Sequence, residues 1–491
     1  MDWGNAITYL GSTTLKERAV QFGIKDEDRL KHFCVLGRND SGRADLVAQM
    51  ALQDIERGVG TMVLDASGKV APLLIERIDP SLSDQIIYLD PAVAEYPYAW
   101  NPLDDIRALP EEKQKEAVVT MLVSLYSLER SAFVAYVADL LLHREETTLI
   151  TPHTLVTDEK AREVFFKEDS DEKKQFEEKL DAEPSIKEVF EEAGRYIGKD
   201  TLIRNLLGQP KSKFHLKDIQ EGKILIVDFS HMRIFPTRMT PLVRTFVNIA
   251  RMNGDMQKYT TSLFLHDCLR YLGESEIESL FSAKSIAVTV ADTIVQESDK
   301  ERREFAISRC GSIASFTTHP ADKDVIERAF YPYAEPEELN RLSKGELVVA
   351  LTIDAVRARP FFAKALPLPE KKHIAYQDLV VEARERYTVS RTTVDALFKK
   401  QKGEKEPPRK RGSGGGGFQD AFKSIMENRA KKMPIKDLAP GEKGAQQTTK
   451  KGTKKTASSA DTQVDGAQTT DKKEISEDTL RSLLYVRPLP S

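Results

Sequence analysis

A glycine-framed segment, Gly37-Arg-Asn-Asp-Ser-Gly-Arg-Ala44, has the residue types and spacing to bind phosphate. It follows an apolar run at 32–36 that is typical of a buried strand, and apolar residues at helical spacing come after it. A strand, a loop of the pattern GxxxxGK[ST] and a helix place backbone amides and a helix N-terminus around an anion. The predicted nucleotide-binding residues are Gly37, Arg38, Asn39, Asp40, Ser41, Gly42, Arg43 and Ala44.

The two positions of this loop that carry the chemistry are altered. Arg43 replaces the lysine that contacts the β- and γ-phosphates, and Ala44 replaces the hydroxyl that ligates Mg²⁺. A methyl group cannot ligate a metal, and a guanidinium is a wider, planar cation than an ammonium. Asp40 adds a negative charge that repels phosphate. We therefore expect no tightly bound cofactor, and ATP and Mg²⁺ are expected to bind weakly at most.

The composition is that of a water-soluble protein of two or three domains. The chain has 491 residues, of which 31% are charged and 40% hydrophobic. No apolar run reaches the roughly 18–20 residues that span a bilayer, and the first residues lack the basic start and apolar core of a signal peptide, so none is predicted. The 3 cysteines have no paired spacing, which predicts a reducing compartment without disulfides or a zinc site. The predicted location is cytoplasmic, either free or peripheral at the inner face of a membrane.

The charge is unevenly distributed along the chain. The net charge is −4, yet residues 399–473 hold 19 Lys and Arg against 9 Asp and Glu. This segment is rich in Gly, Ser, Thr and Gln and is predicted to be disordered. Either the basic tail contacts an acidic surface such as nucleic acid, or it only keeps the protein soluble.

The elements that must position the loop are strands that alternate with helices. This alternation predicts an α/β fold with a mostly parallel sheet, and the loop lies at the carboxyl ends of its strands. The predicted strands are 32–36, 60–65, 85–90, 222–228, 261–267, 285–291 and 312–316, followed by a hairpin of 345–353 with 359–365. The predicted helical parts are the charged block 110–207, a short helix at 387–398, a transient helix at 418–433 and a last helix at 475–485. The last helix either docks on a partner or packs on its own domain.

In the order and spacing of several short stretches, the chain resembles the type IV secretion coupling protein family (TraD/TraG-like ATPases of the HerA/FtsK group). These stretches are 22–25, 53–58, 84–91, 101–103, 203–209, 222–225 and 312–316. The resemblance implies a RecA-like P-loop NTPase fold with an inserted all-α domain, a ring-forming oligomer and a role in DNA or protein transfer. It also implies, as partners, homologous active ATPase subunits or components of a secretion channel. Many members carry N-terminal membrane helices; no direct membrane insertion is predicted here.

The resemblance also implies the domain boundaries. The NTPase domain is predicted in two segments that flank the all-α insertion, and a short helical extension precedes the basic linker. The predicted boundaries are 1–105 and 216–370 for the NTPase domain, 106–215 for the insertion, 371–400 for the extension, 401–474 for the linker and 475–491 for the terminal helix or docking peptide.

The departures from the family fall at its catalytic positions. The family's Asp-Glu pair is Asp267-Cys268 here, so Asp267 is the one candidate Mg²⁺ ligand and the general base is missing. Thr293 lies in the stretch that matches the γ-phosphate sensor, and Thr317 replaces the arginine finger. No catalytic residue is therefore predicted to be intact, and the degenerate positions are Arg43, Ala44, Cys268, Thr293 and Thr317.

Each replacement also has a purely structural interpretation. Arg43 could form a surface ion pair, and Asp267 could cap a helix. Together the replacements favour a pseudo-ATPase subunit of a DNA- or protein-transfer machine. Two alternatives stay open: an active DNA translocase with a divergent site, and a nucleic-acid-binding protein that acts through its basic tail.

Overall fold

The computed structural model describes residues 6–15, 18–166, 170–193, 196–232, 236–254, 260–293, 300–372 and 376–401. The predicted disordered linker and the helices predicted at 418–433 and 475–485 lie outside the described residues.

The strands of the described residues coincide closely with the apolar runs of the sequence. They are β1 (Ile7–Leu15), β2 (Arg18–Lys25), β3 (Phe33–Leu36), β4 (Thr61–Asp65), β5 (Ile86–Leu89), β6 (Ile224–Asp228), β7 (Thr261–His266), β8 (Ile286–Asp292), β9 (Ser312–Ser315), β10 (Glu346–Ala350), β11 (Thr352–Ile353), β12 (Val356–Arg357) and β13 (Phe361–Ala365).

All of these strands except β11 and β12 join one 11-stranded sheet, in the order β2-β1-β13-β10-β9-β3-β8-β7-β4-β6-β5. The strands from β9 to β5 are parallel, and the other four pair antiparallel. One strand, β8, separates the strand that enters the glycine-rich loop from β7. This is the strand order of RecA-like P-loop proteins, so the predicted α/β class and mostly parallel sheet are confirmed.

Helices cover both faces of the sheet. They are α1 (Asp26–Arg29), α2 (Arg43–Glu56), α3 (Ala71–Ile75), α4 (Pro102–Arg107), α5 (Glu111–Tyr126), α6 (Ala132–His143), α7 (Thr151–Thr157), α8 (Glu159–Phe166), α9 (Asp171–Asp181), α10 (Pro184–Ala193), α11 (Thr201–Leu207), α12 (Pro236–Gly254), α13 (Glu274–Phe281), α14 (Lys300–Arg309), α15 (Lys323–Phe330), α16 (Pro336–Leu339), α17 (Tyr376–Tyr387) and α18 (Arg391–Gln401). Eight consecutive helices, α4 to α11, stand between β5 and β6, where the sequence predicts a helical block.

The side chains of strand β3 alternate between the two faces of the sheet. Phe33 and Val35 pack into the larger hydrophobic core, whereas Cys34 and Leu36 pack into a smaller one. Successive side chains of a strand point to opposite faces, so a strand buried on both sides needs an unbroken apolar run. This is why β3 is recognisable in the sequence.

Two elements differ from the sequence prediction. The hairpin β1–β2 was not predicted, and it extends the sheet beyond β13. Its residues are mixed polar and apolar, and Gly11 lies at a bulge where a Cβ would come within 2.6 Å of the Lys364 carbonyl oxygen. The predicted start of the helix at 387–398 was also wrong, because Tyr387 ends α17 and α18 begins at Arg391.

A buried ion pair ties this hairpin to the helix of the glycine-rich loop. The Arg29 guanidinium donates to both carboxylate oxygens of Asp54 at 2.7 Å, and to the Thr8 hydroxyl of β1 at 2.9 Å. Arg29 and Asp54 are 1% and 0% exposed. A buried pair of this kind stabilises a fold only while both partners are present.

We expect Asp54→Asn to lower the free energy of unfolding by about 3–5 kcal/mol, because the buried Arg29 loses its nearer counterion and keeps only Asp26, 3.8 Å away. Urea denaturation followed by circular dichroism measures this change. The exposed pair Lys25–Asp354 provides the control, since Asp354→Asn should change stability by about 0–1 kcal/mol. Equal effects of the two substitutions would contradict the role given to Asp54.

Candidate functional site

The glycine-rich loop lies at the carboxyl end of β3, between β9 and β8. Gly42 has φ of +109°, and a Cβ there would lie 3.1 Å from the Gly345 Cα. A Cβ on Gly37 would lie 2.7 Å from the Ser41 hydroxyl oxygen. The Gly345 amide also donates to the Ser41 carbonyl at 2.9 Å. Packing alone therefore accounts for both glycines, whether or not the loop binds phosphate.

The altered cation of the loop is held by the candidate metal ligand. Arg43 Nη2 donates to Asp267 Oδ2 at 3.1 Å, and Nη1 lies 2.8 Å from Oδ1 as an ion-pair contact that is not aligned for a hydrogen bond. Arg43 is 2% exposed, so this is a buried pair and not the surface pair that the structural interpretation allowed. The two side chains neutralise each other at the place where a phosphate and a metal ion would compete for them.

Thr293 completes this cluster. Its hydroxyl donates to Asp267 Oδ1 at 2.9 Å and lies 3.4 Å from Arg43 Nη2. Burial opposes ionisation of Asp267, but the charges of Arg43 and His266 hold the pKa of this carboxyl below its usual range. Asp267 has φ of 55° and its side chain caps no helix; Cys268 is the residue at the N-cap position of the short 3-10 turn that follows, and its side chain makes no capping hydrogen bond.

Cys268 cannot act as a base toward this cluster. It is fully buried, and its Sγ lies 3.3 Å from the Leu64 carbonyl oxygen, within the hydrophobic core. Burial and the nearby aspartates raise the pKa of the thiol well above its usual value. A buried thiol in its neutral form cannot take a proton from an attacking water.

Thr317 helps to hold the glycine-rich loop in place through hydrogen bonds. Its hydroxyl donates to the Leu342 carbonyl at 2.7 Å, and its own carbonyl accepts from the Arg38 amide at 2.8 Å. The residue is 6% exposed, so it does not reach a neighbouring molecule. The structure therefore brings together Arg43, Asp267 and Thr293, and it places Cys268 and Thr317 away from them.

A cavity of about 200 Å³ opens at the mouth of the loop. Its charged lining residues include the cations Arg38, Arg43, Lys69 and Lys344 and the carboxylates Asp40 and Asp45. Lys69 Nζ lies 3.4 Å from Asp40, so one of these cations is already paired with the loop. Ala44 also lines the cavity and presents only a methyl group.

The strand ends beside the loop carry a row of aspartates, of which the sequence analysis singled out only Asp267. Along the sheet from β8 to β5, the aspartates at or just after the strand ends are Asp292, Asp267, Asp65, Asp228 and Asp90. The signal was present in the sequence, because each of these apolar runs ends in aspartate. No group of His, Cys, Asp and Glu among the described residues is arranged to hold a metal ion.

Each of these carboxylates is instead bonded within the fold. Asp65 accepts from the Val70 and Ala71 amides at 2.7 and 2.8 Å, and it lies 3.1 Å from His266 Nδ1. Asp90 is paired with Arg384, and Asp228 accepts from the Tyr88 hydroxyl. Burial would raise the pKa of Asp65, but the His266 contact and the backbone amides hold it below its usual range.

Asp292 differs from Asp65 in the direction of its pKa shift. It accepts one hydrogen bond from the Leu269 amide at 3.2 Å. Burial, and then the negative charge of Asp267, raise the pKa of Asp292 to about 7. The charge of Arg43 favours the ionised form of both aspartates, but the hydrogen bonds from Arg43 and Thr293 reach only Asp267, and the pKa values of the two carboxyls are shifted in opposite directions.

Mg²⁺ does not fit these residues. The loop offers a methyl group at the position of the ligating hydroxyl, and the one candidate carboxylate is held by Arg43. The backbone of the loop and the α2 N-terminus still present amides to an anion. A metal-free anion is thus the ligand with which the arrangement is compatible.

No protein-family model matches the chain, and no curated protein sequence is similar to it. Among solved structures, it is similar to the bacterial conjugative coupling protein TrwBdeltaN70, at 13% identity and a TM-score of 0.49, over 73% of this chain and 92% of that one. It is also similar to VirB4 of Thermoanaerobacter pseudethanolicus, at 11% identity and a TM-score of 0.47, over 75% of this chain and 98% of that one. A TrwB structure in complex with ADP and Mg²⁺ is 14% identical, with a TM-score of 0.46, over 72% of this chain and 88% of that one. The fold assignment of this chain rests on its own strand order.

We expect Asp267→Asn to lower the free energy of unfolding by about 3–5 kcal/mol, because Arg43 then stays buried without a counterion. Arg43→Met should be less harmful, since Asp267 keeps the Thr293 hydrogen bond and lies nearer to solvent. The double variant should recover part of the loss, with a coupling energy of about 1–3 kcal/mol by urea denaturation. Purely additive effects would show that the pair does not stabilise the fold.

We expect Asp292→Asn to gain stability relative to the wild type as the pH rises from about 4 to about 7. The raised pKa means that folded Asp292 keeps its proton where the unfolded chain loses it, so wild-type stability falls across this window. The gain is up to about 4 kcal/mol and levels off above about pH 7. Urea unfolding at a series of pH values measures it, with the exposed Asp181→Asn as control. A difference that stays constant with pH would contradict the assignment.

Proposed function

We propose that this chain is a pseudo-ATPase member of the type IV secretion coupling protein family, which acts as a structural, regulatory or substrate-recruiting subunit of a DNA- or protein-transfer machine. The sequence stretches shared with that family, the RecA-like strand order and the helical segment between β5 and β6 support the family assignment. The Arg43–Asp267 pair carries the proposal that the subunit does not hydrolyse ATP.

The physical reason lies in the demands of phosphoryl transfer. The reaction needs a cation on the transferred phosphate, a bound metal ion, an activated water and charge stabilisation from an arginine. Here the loop cation and the metal carboxylate neutralise each other. Among the described residues, Cys268 stands in the position of the general base and is buried as a neutral thiol, and the position of the arginine finger is a buried threonine.

The site keeps the fold of an NTPase centre, but its loop cation and its metal carboxylate form a neutral pair. Such a subunit keeps the shape of the family fold and the surfaces that depend on it. We infer that it works beside homologous active ATPase subunits or secretion-channel components, in a ring or as an adaptor. Among the described residues, no helix is long and apolar enough to cross a membrane.

ATP binding by calorimetry with Mg²⁺, together with ATPase turnover with and without single-stranded DNA, tests the proposal. We expect no Mg²⁺-dependent tightening of ATP binding and no turnover above the buffer rate. DNA-stimulated turnover that Arg43→Ala abolishes would overturn the proposal in favour of an active translocase.

A gain-of-function variant sharpens this test. Arg43→Lys combined with Ala44→Thr returns the compact cation and the hydroxyl to the loop. We expect this double variant to acquire Mg²⁺-dependent ATP binding, at least tenfold tighter than that of the wild type, because the metal gains a protein ligand. Hydrolysis should stay absent, since Cys268 is unchanged. Equal affinities of the two proteins would show that the loop is not what prevents Mg²⁺·ATP binding.

A further inference from the structure

The cavity at the mouth of the glycine-rich loop is lined by backbone amides that lack a partner. Gly42, Arg43 and Ala44 all line it, and their N–H groups make no hydrogen bond among the described residues. They stand at the N-terminus of α2, where the first N–H groups of a helix have no acceptor within the helix. These amides are available to an acceptor from outside the chain, and an anion is the acceptor that a helix N-terminus favours.

His266 has an unpaired ring nitrogen at the floor of this cavity. The residue ends β7, is 0% exposed and belongs to the lining. Its Nδ1 lies 2.8 Å from the Ser67 hydroxyl oxygen and 3.1 Å from an Asp65 carboxylate oxygen, and neither of these residues lines the cavity. The opposite edge of the ring therefore faces the cavity, and its Nε2 has no hydrogen-bond partner among the described residues. A buried ring nitrogen without a partner is unfavourable, so it points to a ligand.

Arg43 offers a further buried nitrogen to the same place. Its Nη atoms contact Asp267, but its Nε is buried without a hydrogen-bond partner in the part of the chain that the structure describes. Because Asp267 neutralises the guanidinium, Nε contributes a hydrogen bond and not an additional charge. Positive charge comes instead from Lys69 and Lys344, two exposed lysines of the lining.

The size and the lining of the cavity limit the ligand. Its volume of about 200 Å³ is below the roughly 300–1,000 Å³ of pockets for larger organic ligands, so it matches a phosphate group better than a whole nucleotide. The amides and Arg43 Nε are donors, which select a ligand rich in acceptor oxygens. Inorganic phosphate near neutral pH carries acceptor oxygens and a P–OH group, so it bonds to His266 Nε2 in either protonation state of the ring.

We propose that this cavity binds inorganic phosphate or pyrophosphate without a metal ion, and that His266 Nε2 is the buried side-chain contact of the anion. The inference rests on the proposed function, because an active ATPase would hold the magnesium complex of a nucleotide at this loop. Independence of a metal ion follows from the residues, since Ala44 has no hydroxyl and Asp267 is paired with Arg43. The lysines of the lining take over the role of the metal charge.

Titration calorimetry of the full chain with inorganic phosphate, pyrophosphate and ATP, each in EDTA and in excess Mg²⁺, tests the proposal. We expect pyrophosphate to bind in EDTA, and Mg²⁺ to weaken this binding because the metal competes for the same oxygens. ATP should bind no more tightly than pyrophosphate, since the cavity admits only its phosphate end.

Three calorimetric results would overturn the proposal. The first is ATP binding about tenfold or more tighter than that of pyrophosphate, which would identify a nucleotide as the source of the phosphate. The second is tightening of pyrophosphate binding by Mg²⁺, and the third is the absence of phosphate and pyrophosphate binding in EDTA.

Substitutions of His266 test the buried contact. His266→Leu removes Nε2 and should weaken pyrophosphate binding by roughly tenfold or more, as expected for a lost hydrogen bond to a charged group. His266→Gln places an amide near the position of Nε2 and should keep the affinity within about threefold of the wild type. Circular dichroism checks that both variants are folded. Equal affinities of the wild type and His266→Leu, or equal losses in the two variants, would overturn the role given to Nε2.

Asp40→Asn tests the anion without changing a buried residue. The Asp40 carboxylate lines the cavity and pairs with Lys69, so its removal should tighten pyrophosphate binding by roughly twofold to fivefold. The matched control is Asp354→Asn, because Asp354 is also exposed, has a positive φ and pairs with a lysine, but lies outside the cavity lining. The control should leave the affinity unchanged. Equal affinities of the wild type and both variants would contradict an anion beside Asp40.

ATP turnover separates this inference from the proposed function. Turnover above the buffer rate would overturn the pseudo-ATPase assignment and, with it, the metal-free anion. Absence of pyrophosphate binding in a chain that also shows no turnover would overturn the anion site alone.

Discussion

The ion pair between Arg43 and Asp267 is the interaction on which the rest of the site depends. It joins the first residue of α2 to the end of β7, across the intervening strand β8, and it is almost completely buried. A buried charge without a partner is very unfavourable, so once arginine replaces lysine in the loop, the metal carboxylate becomes its structural counterion. The same contact that stabilises the fold removes the two charges that a nucleotide and its metal would need.

The aspartates at the neighbouring strand ends are also bonded to partners within the fold. The carboxyl edge of a parallel sheet is where P-loop proteins perform chemistry, and here the strand ends at that edge keep carboxylates whose partners lie within the fold. Backbone amides bind Asp65, Arg384 pairs with Asp90, and the Tyr88 hydroxyl bonds Asp228. The glycines of the loop are favoured for a related reason, since a Cβ on Gly37 would lie 2.7 Å from the Ser41 hydroxyl oxygen and Gly42 has φ of +109°, which other residues rarely adopt. The outline of an NTPase centre can therefore be maintained by packing and internal hydrogen bonds alone.

Charge organises the molecule on a larger scale as well. A cavity among α7, α10, α11 and α18 is lined by the exposed carboxylates of Glu188, Glu191 and Glu192. Its carboxylates are exposed, so salt and competing polyanions reach them easily. The loop site differs in this respect, because its charges are buried and paired and respond to substitution and pH more than to salt. The chain thus has one cluster of buried, paired charges and one cluster of exposed charges.

The residue pattern alone predicts the α/β class and the seven parallel strands, and it shows which residue types stand at positions 43, 44 and 268. Strands buried on both faces require unbroken apolar runs, and the absence of a hydroxyl at Ala44 or of a carboxylate at Cys268 is visible in the residue type alone. It missed the hairpin β1–β2 and placed the start of α18 wrongly, because half-exposed strands and helix ends carry weak local signals. Only the tertiary structure decided that Arg43 pairs with Asp267, that Cys268 faces the core, and that Glu188, Glu191 and Glu192 share a groove with Phe398. These contacts join residues that are distant along the chain, and long-range contacts depend on how the elements pack, which no local pattern specifies.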